Sequence, residues 1–106
     1  MTNDEIIKEI VERLKKVPEV KKIIVFGSRA RGDYSEESDI DLLVIGDFEG
    51  KIVWRRYHLL LNLIDLHEKI DIDIFPLRED ELIELVDSGS SFWKEVIHSG
   101  SVVYGT

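Results

Sequence analysis

Two aspartates with one residue between them, Asp39 and Asp41, follow a glycine–serine pair, Gly27-Ser28, after ten intervening residues, Arg29 to Ser38. Ile40, Leu42 and Val44 alternate with Asp39, Asp41, Leu43 and Ile45, which is the pattern of a strand. Side chains two apart leave the same face, separated by roughly 7 Å along the chain. Two carboxylates so placed repel one another, and divalent cations between them reverse that sign. Mg²⁺ is held by one or two carboxylates together with phosphate oxygens and water. A pair of such ions, about 3.5–4 Å apart, would clamp the attacking and leaving oxygens of an in-line phosphoryl displacement.

That chemistry calls for a third carboxylate. Ile70, Ile72 and Ile74 alternate with Asp71, Asp73 and Phe75, a second strand with acids on one face and Pro76 closing it. Asp73 is the preferred third member because it lies nearer the strand's exit, where loops build sites, while Asp71 reads as a solvated residue at the strand start. Gly27 lets backbone come close, and Ser-Arg-Ala-Arg-Gly can open a short helix whose free N–H groups attract a phosphate. Ser28 adds a hydroxyl. Arg29 and Arg31 are candidates to offset triphosphate charge, or to pair with the nearby acids.

Several elements must position these groups. Ile6, Ile7, Ile10, Val11, Leu14 and Val17 recur at helical spacing behind Asn3 or Asp4 as N-cap, and Pro18 stops that helix. Lys22 to Phe26 is a β-branched run that reads as a buried strand ending at Gly27. A long helix is predicted from Lys51 to Glu68, with Val53, Tyr57, Leu60, Leu61 and Ile64 facing the sheet. Arg78 to Val86 and Ser91 to Ile97 read as helices, and Ser101 to Tyr104 as a short last strand. The fold class expected is α/β (α+β): a small mixed sheet with helices packed on it, in one domain over 1–106.

Composition narrows the function classes. Cysteine is absent, so thiolate metal sites and disulfides are excluded, and oxygen ligands are the plentiful kind. The net charge of −8 argues against a general nucleic-acid surface, but a local cradle can still hold one nucleotide. The longest apolar run, around Leu59 to Leu61, is far short of a membrane span, and the start lacks a signal peptide's pattern. A cytoplasmic protein without a membrane partner is expected.

Gly-Ser, ten residues, then Asp-x-Asp resembles the motif of the DNA polymerase β nucleotidyltransferase superfamily, and within it the chain is similar to the minimal nucleotidyltransferases over nearly its whole length. The resemblance implies a polymerase-beta-like fold and transfer of AMP from ATP with two Mg²⁺ ions. It implies that Gly27 and Ser28 hold the triphosphate, that Asp39 and Asp41 ligate both metals, and that Asp73 is the last ligand and general base. Minimal nucleotidyltransferases are often paired as antitoxins with a HEPN-family toxin, and some adenylylate it on tyrosine. A chain this short has no separate acceptor domain, so such a partner, or a homodimer, would supply half of the acceptor site.

Two other functions compete: a non-catalytic antitoxin that neutralises its partner by binding, and an aminoglycoside-type enzyme acting on a small molecule. His58 and His67 fall on opposite sides of a helix, which argues against a joint metal site, and these two and His98 read as surface or boundary residues. Trp54 and Trp93 can rest on a base but at helical spacing read as core or interface anchors. Lys51, Arg55 and Arg56 form a basic cluster that suits a phosphate tail or an ordinary solvated helix face.

Overall fold

In the computed structural model the described residues are 1–105, so the last position of the expected 1–106 domain, Thr106, lies outside them. Helix α1 (Asn3–Leu14) starts from a capping box in which Thr2 and Glu5 satisfy each other's backbone N–H. Thr2 therefore fills the place expected of Asn3 or Asp4. Strand β1 (Val20–Phe26) begins two residues earlier than its apolar run suggests. After the one-turn helix α2 (Ser28–Arg31) and a polar loop come strand β2 (Ile40–Gly46), helix α3 (Ile52–Leu60) and helix α4 (Ile64–His67). Strand β3 (Ile72–Leu77), helices α5 (Glu79–Asp87) and α6 (Ser91–Ser99) and strand β4 (Ser101–Tyr104) complete the order.

The four strands form one mixed sheet in the order β3-β2-β1-β4. β1 is antiparallel to both β2 and β4, and β2 is parallel to β3. Alternation along the strands sorts residues to two sides. Ile23, Val25, Ile40, Leu42, Val44, Ile72 and Ile74 pack with Ile6, Ile10 and Leu14 of α1 and with Leu59, Leu63 and Leu66. Ile24, Phe26, Leu43 and Leu77 pack with Leu82 of α5 and Val96 of α6 on the other side. No helix among the described residues is long and apolar enough to cross a membrane.

The helix predicted over 51–68 is broken in two. The Asn62 amide donates to the carbonyls of His58 and Leu59 at 3.1 and 3.5 Å, competing with the backbone ladder, and Leu63 leaves helical geometry at φ −127° to enter the core. The buried side of α3 is also different from the one predicted. Leu59 and Arg55 face inward, while Val53 is 60% and Tyr57 54% exposed. Arg55 is buried because Glu81 accepts at 2.6 Å and the Pro76 carbonyl at 3.2 Å; Arg56 donates to the Ile74 carbonyl at 2.9 Å. The basic cluster is thus partly a set of ties between α3, β3 and α5, with only Lys51 fully solvated.

β3 starts at Ile72 rather than Ile70, because the Ile70 N–H turns back to the Leu66 carbonyl at the end of α4. Pro76 lies inside β3 instead of ending it, which an edge strand tolerates because its outer side needs no ladder donor. His67 Nδ1 accepts from the Ile72 N–H at 3.0 Å, joining α4 to the strand.

Candidate functional site

The site is built at the end of the sheet where β1 finishes and β2 and β3 begin. The Ile40 N–H donates to the Asp71 carbonyl at 2.9 Å, and from there the parallel register sets Asp41 beside Asp73. Antiparallel pairing sets Phe26 beside Asp41 on the opposite flank. One row across the sheet therefore reads Asp73, Asp41, Phe26, with Asp39 two residues before Asp41 at the rim. Asp39 and Asp73 are exposed and Asp41 is half-buried. Asp71 is exposed just before β3, its carbonyl engaged with β2.

Electrostatics follow from that crowding. Burial pushes the Asp41 carboxyl above the ordinary aspartate range, Asp73 and Asp39 push it further, and Arg31 pulls it back. Among the described residues no three His, Cys, Asp or Glu side chains form a finished metal cage. The like charge crowded around Asp41 is relieved when countercharge enters. The donor set is hard oxygen, the kind that suits Mg²⁺, so the residues present fit the ion that the sequence implies.

Gly27 lies against this row. Its φ of 74° is in the left-handed region, and a Cβ there would stand 2.5 Å from Asp41 Oδ2. Only glycine meets both conditions. The N–H groups of Ala30 and Arg31 both donate to the Gly27 carbonyl at 3.1 Å, which folds Ser28–Arg31 into a single turn with half-buried Ser28 at its start.

The two arginines of that turn diverge. Arg29 is 5% exposed and donates to the Ser38 carbonyl at 2.8 Å, the Glu36 carbonyl at 3.4 Å and Asn3 Oδ1 at 3.3 Å, with Tyr34 stacked 4.7 Å from its carbon. Its guanidinium holds the loop before Asp39, with its donors directed to that loop and to Asn3. Arg31 is exposed, shares Asp33 Oδ2 at 3.3 Å, and is the cation that acts on Asp41.

Four aromatic rings cluster from Phe26, the lateral neighbour of Asp41: Phe26 and Phe75 on the sheet, Phe92 and Trp93 on α6. Phe26 and Phe92 are not among the site residues expected from the sequence. Phe26 was legible as the residue before Gly27, whereas Phe92 is brought there only by the path of α6. A cavity of about 710 Å³, not lined by Asp39, Asp41 or Asp73, is bounded by Glu19, Asp47, Phe48, Trp54, Arg55 and Leu59 among others.

The family model described as "Polymerase beta, Nucleotidyltransferase" matches residues 8–106. A Methanocaldococcus jannaschii protein, to which protein adenylyltransferase activity is ascribed, is 38% identical over 110 residues, covering 98% of this chain and 100% of that one. A Sulfolobus solfataricus crystal structure, described as a nucleotidyltransferase by ascription, superposes with TM-score 0.60 at 26% identity, over 95% of this chain and 78% of that one. The same fold occurs in the structure of a tri-AMPylated Shewanella oneidensis HEPN toxin in complex with MNT antitoxin. There the TM-score is 0.64 at 20% identity, over 99% of this chain and 74% of that one. The chain belongs to the polymerase beta nucleotidyltransferase family and is a nucleotidyltransferase.

Proposed function

We propose that the chain is a Mg²⁺-dependent protein adenylyltransferase that moves AMP from ATP to a tyrosine hydroxyl of a HEPN-type partner, acting as its antitoxin. The observation that carries this reading is the row in which Asp41 stands between Asp73 and the Gly27 bend. The relative of similar length, with its ascribed protein adenylyltransferase activity, supports the reaction class, and the AMPylated HEPN toxin held with an MNT antitoxin supports the acceptor.

In this reading Gly27 and Ser28 receive the β- and γ-phosphates, the glycine by letting backbone approach and the serine through its hydroxyl. Arg31 supplies a cation beside the same phosphates. Asp39 and Asp41 would hold two Mg²⁺ ions, and Asp73 one of them. Bound there, the ions would supply charge neutralisation at the α-phosphate and at the leaving pyrophosphate. Asp73 accepts the proton of the attacking hydroxyl, which then bonds to the α-phosphorus as the bond to the bridging oxygen breaks. Catalysis of this kind rests on positioning and charge and needs no covalent intermediate on the protein.

The test combines the chain with ATP, Mg²⁺ and its genomic neighbour's product and weighs that product by mass spectrometry. One or more added AMP units are expected, lost in the Asp39→Ala, Asp41→Ala double variant. Equal labelling by wild type and double variant contradicts the reading. Neutralisation by binding alone is favoured by one feature, the exposed Val53, Trp54 and Tyr57 of α3. Under that alternative the double variant still neutralises its partner.

A further inference from the structure

Phe92 is the second residue of α6 and is 53% exposed, yet it is held on two sides. Its ring meets Trp93 at 4.9 Å and 85°, and Phe26 at 6.0 Å and 84°. Trp93 is in turn braced edge-on against Phe75 at 5.6 Å. The Ser90 hydroxyl accepts from the Trp93 N–H at 3.3 Å and the Ser90 carbonyl from the Lys94 N–H at 3.2 Å, which fixes the turn that presents Phe92. A single exposed phenylalanine is ordinary, but this one has a fixed plane and a specific neighbour. Phe26 is the residue before Gly27 and the lateral partner of Asp41. Through Phe26, Phe92 is thus on the β1 flank of the acidic row, while Asp73 lies beyond Asp41 on β3.

We propose that Phe92, backed by Phe26 and Trp93, is the stacking surface for the base of the donor nucleotide. The inference rests on the nucleotide reading given above. A nucleoside joined through its α-phosphate to the Gly27–Asp41 corner has its base on the Phe92 side. The acceptor hydroxyl that Asp73 serves enters from the β3 flank. An aromatic platform binds any base by its π-face, so the site favours a large purine without fixing which purine.

Fluorescence titration tests this on the full chain carrying Trp54→Phe, which leaves Trp93 as the only indole. Mg²⁺ is present throughout, with ATP in one arm and inorganic tripolyphosphate in the other. ATP is expected to alter Trp93 emission, and tripolyphosphate to compete with ATP without altering it. Phe92→Leu keeps an apolar side chain but removes the ring. It is expected to weaken ATP binding roughly tenfold, about 1.4 kcal/mol, with tripolyphosphate unaffected and Phe92→Tyr restoring affinity. Equal ATP affinity in wild type and Phe92→Leu overturns the inference, as does a loss shared by tripolyphosphate. A rise in acceptor KM with ATP KM unchanged also overturns it, assigning the ring to the acceptor. In those cases nucleotide transfer itself stands. If wild type binds neither ATP nor tripolyphosphate, the nucleotide reading falls and the inference with it.

Discussion

One side of the sheet is apolar from end to end, with Ile40, Leu42 and Val44 of β2 and Ile72 and Ile74 of β3 buried under α1, α3 and α4. The other side is apolar only where α5 and α6 cover it, and its last row is Asp73, Asp41 and Phe26. The same strands make both sides, because neighbouring residues point to opposite faces. Fold and site therefore sit one residue apart: Ile40 and Leu42 anchor the strand that presents Asp41 between them. The covered side determines how stable the sheet is, and the acidic row is held in place at some cost to that stability.

The largest expected effect lies on the covered side. Leu42→Ala removes a fully buried side chain and should cost about 2–5 kcal/mol in a urea melt. A loss well below that range would mean that this side is loosely packed and would weaken the contrast between the faces.

The paired arginines of α2 come next, since they separate scaffold from site within one turn. Arg29→Ala strands the carbonyls of Ser38 and Glu36 and should destabilise the chain by about 1–3 kcal/mol. Arg29→Lys should recover little, because one ammonium cannot reproduce the forked contacts. Arg31→Ala should leave the melt nearly unchanged and raise the KM for ATP. If the two variants exchange these behaviours, the division of labour drawn between them is wrong.

A smaller effect has the opposite sign. The Asp41 carboxyl titrates above its ordinary value in the fold, because of burial first and Asp73 second, so folding favours its protonated form. Its favourable contribution is present in acid and is lost as pH rises through the raised value. Asp41→Asn, melted without divalent metal, should therefore gain a few degrees of Tm at pH 7, on the order expected for a domain of this size, and the gain should vanish in acid. A lower Tm at pH 7 would show that the acidic row is not under electrostatic strain.

The smallest effect belongs to a surface pair. Hydrogen bonding from Arg13 lowers the Asp65 carboxyl to about 2, linking α1 to α4. This contribution is complete above the usual aspartate value of 3.8 and fades as pH falls through about 2. Asp65→Asn should lower Tm only slightly at neutral pH, with high salt reducing the difference. A large, salt-independent loss would give this exposed pair a weight that its setting does not support.

The acidic site was legible in the sequence because its logic is local. A period of two places Asp39 with Asp41 and Asp71 with Asp73 on common faces, and a glycine before a serine marks a tight bend. What sequence could not supply was register. Asp73 rather than Asp71 stands beside Asp41 because Ile40 pairs with the Asp71 carbonyl, a contact between segments thirty-one residues apart. Long-range partners also explain the misplaced face of α3. Arg55 is a surface residue by type, and it is buried because Glu81 and the Pro76 carbonyl satisfy it. Once Arg55 turns inward, Val53 and Tyr57 turn out. The 51–68 helix breaks where the Asn62 amide bonds to the helical carbonyls of His58 and Leu59, a side-chain contact that hydrophobic periodicity does not register.

The proposed function depends on carboxylates from β2 and β3 meeting at one metal-nucleotide site. The most direct measurement is a crystal grown with Mn²⁺ and a non-hydrolysable ATP analogue, with anomalous scattering used to locate the manganese. The account predicts manganese peaks bounded by Asp39, Asp41 and Asp73, with the nucleotide phosphates against Gly27 and Ser28. Manganese and phosphates found elsewhere, with these side chains unengaged, would contradict it.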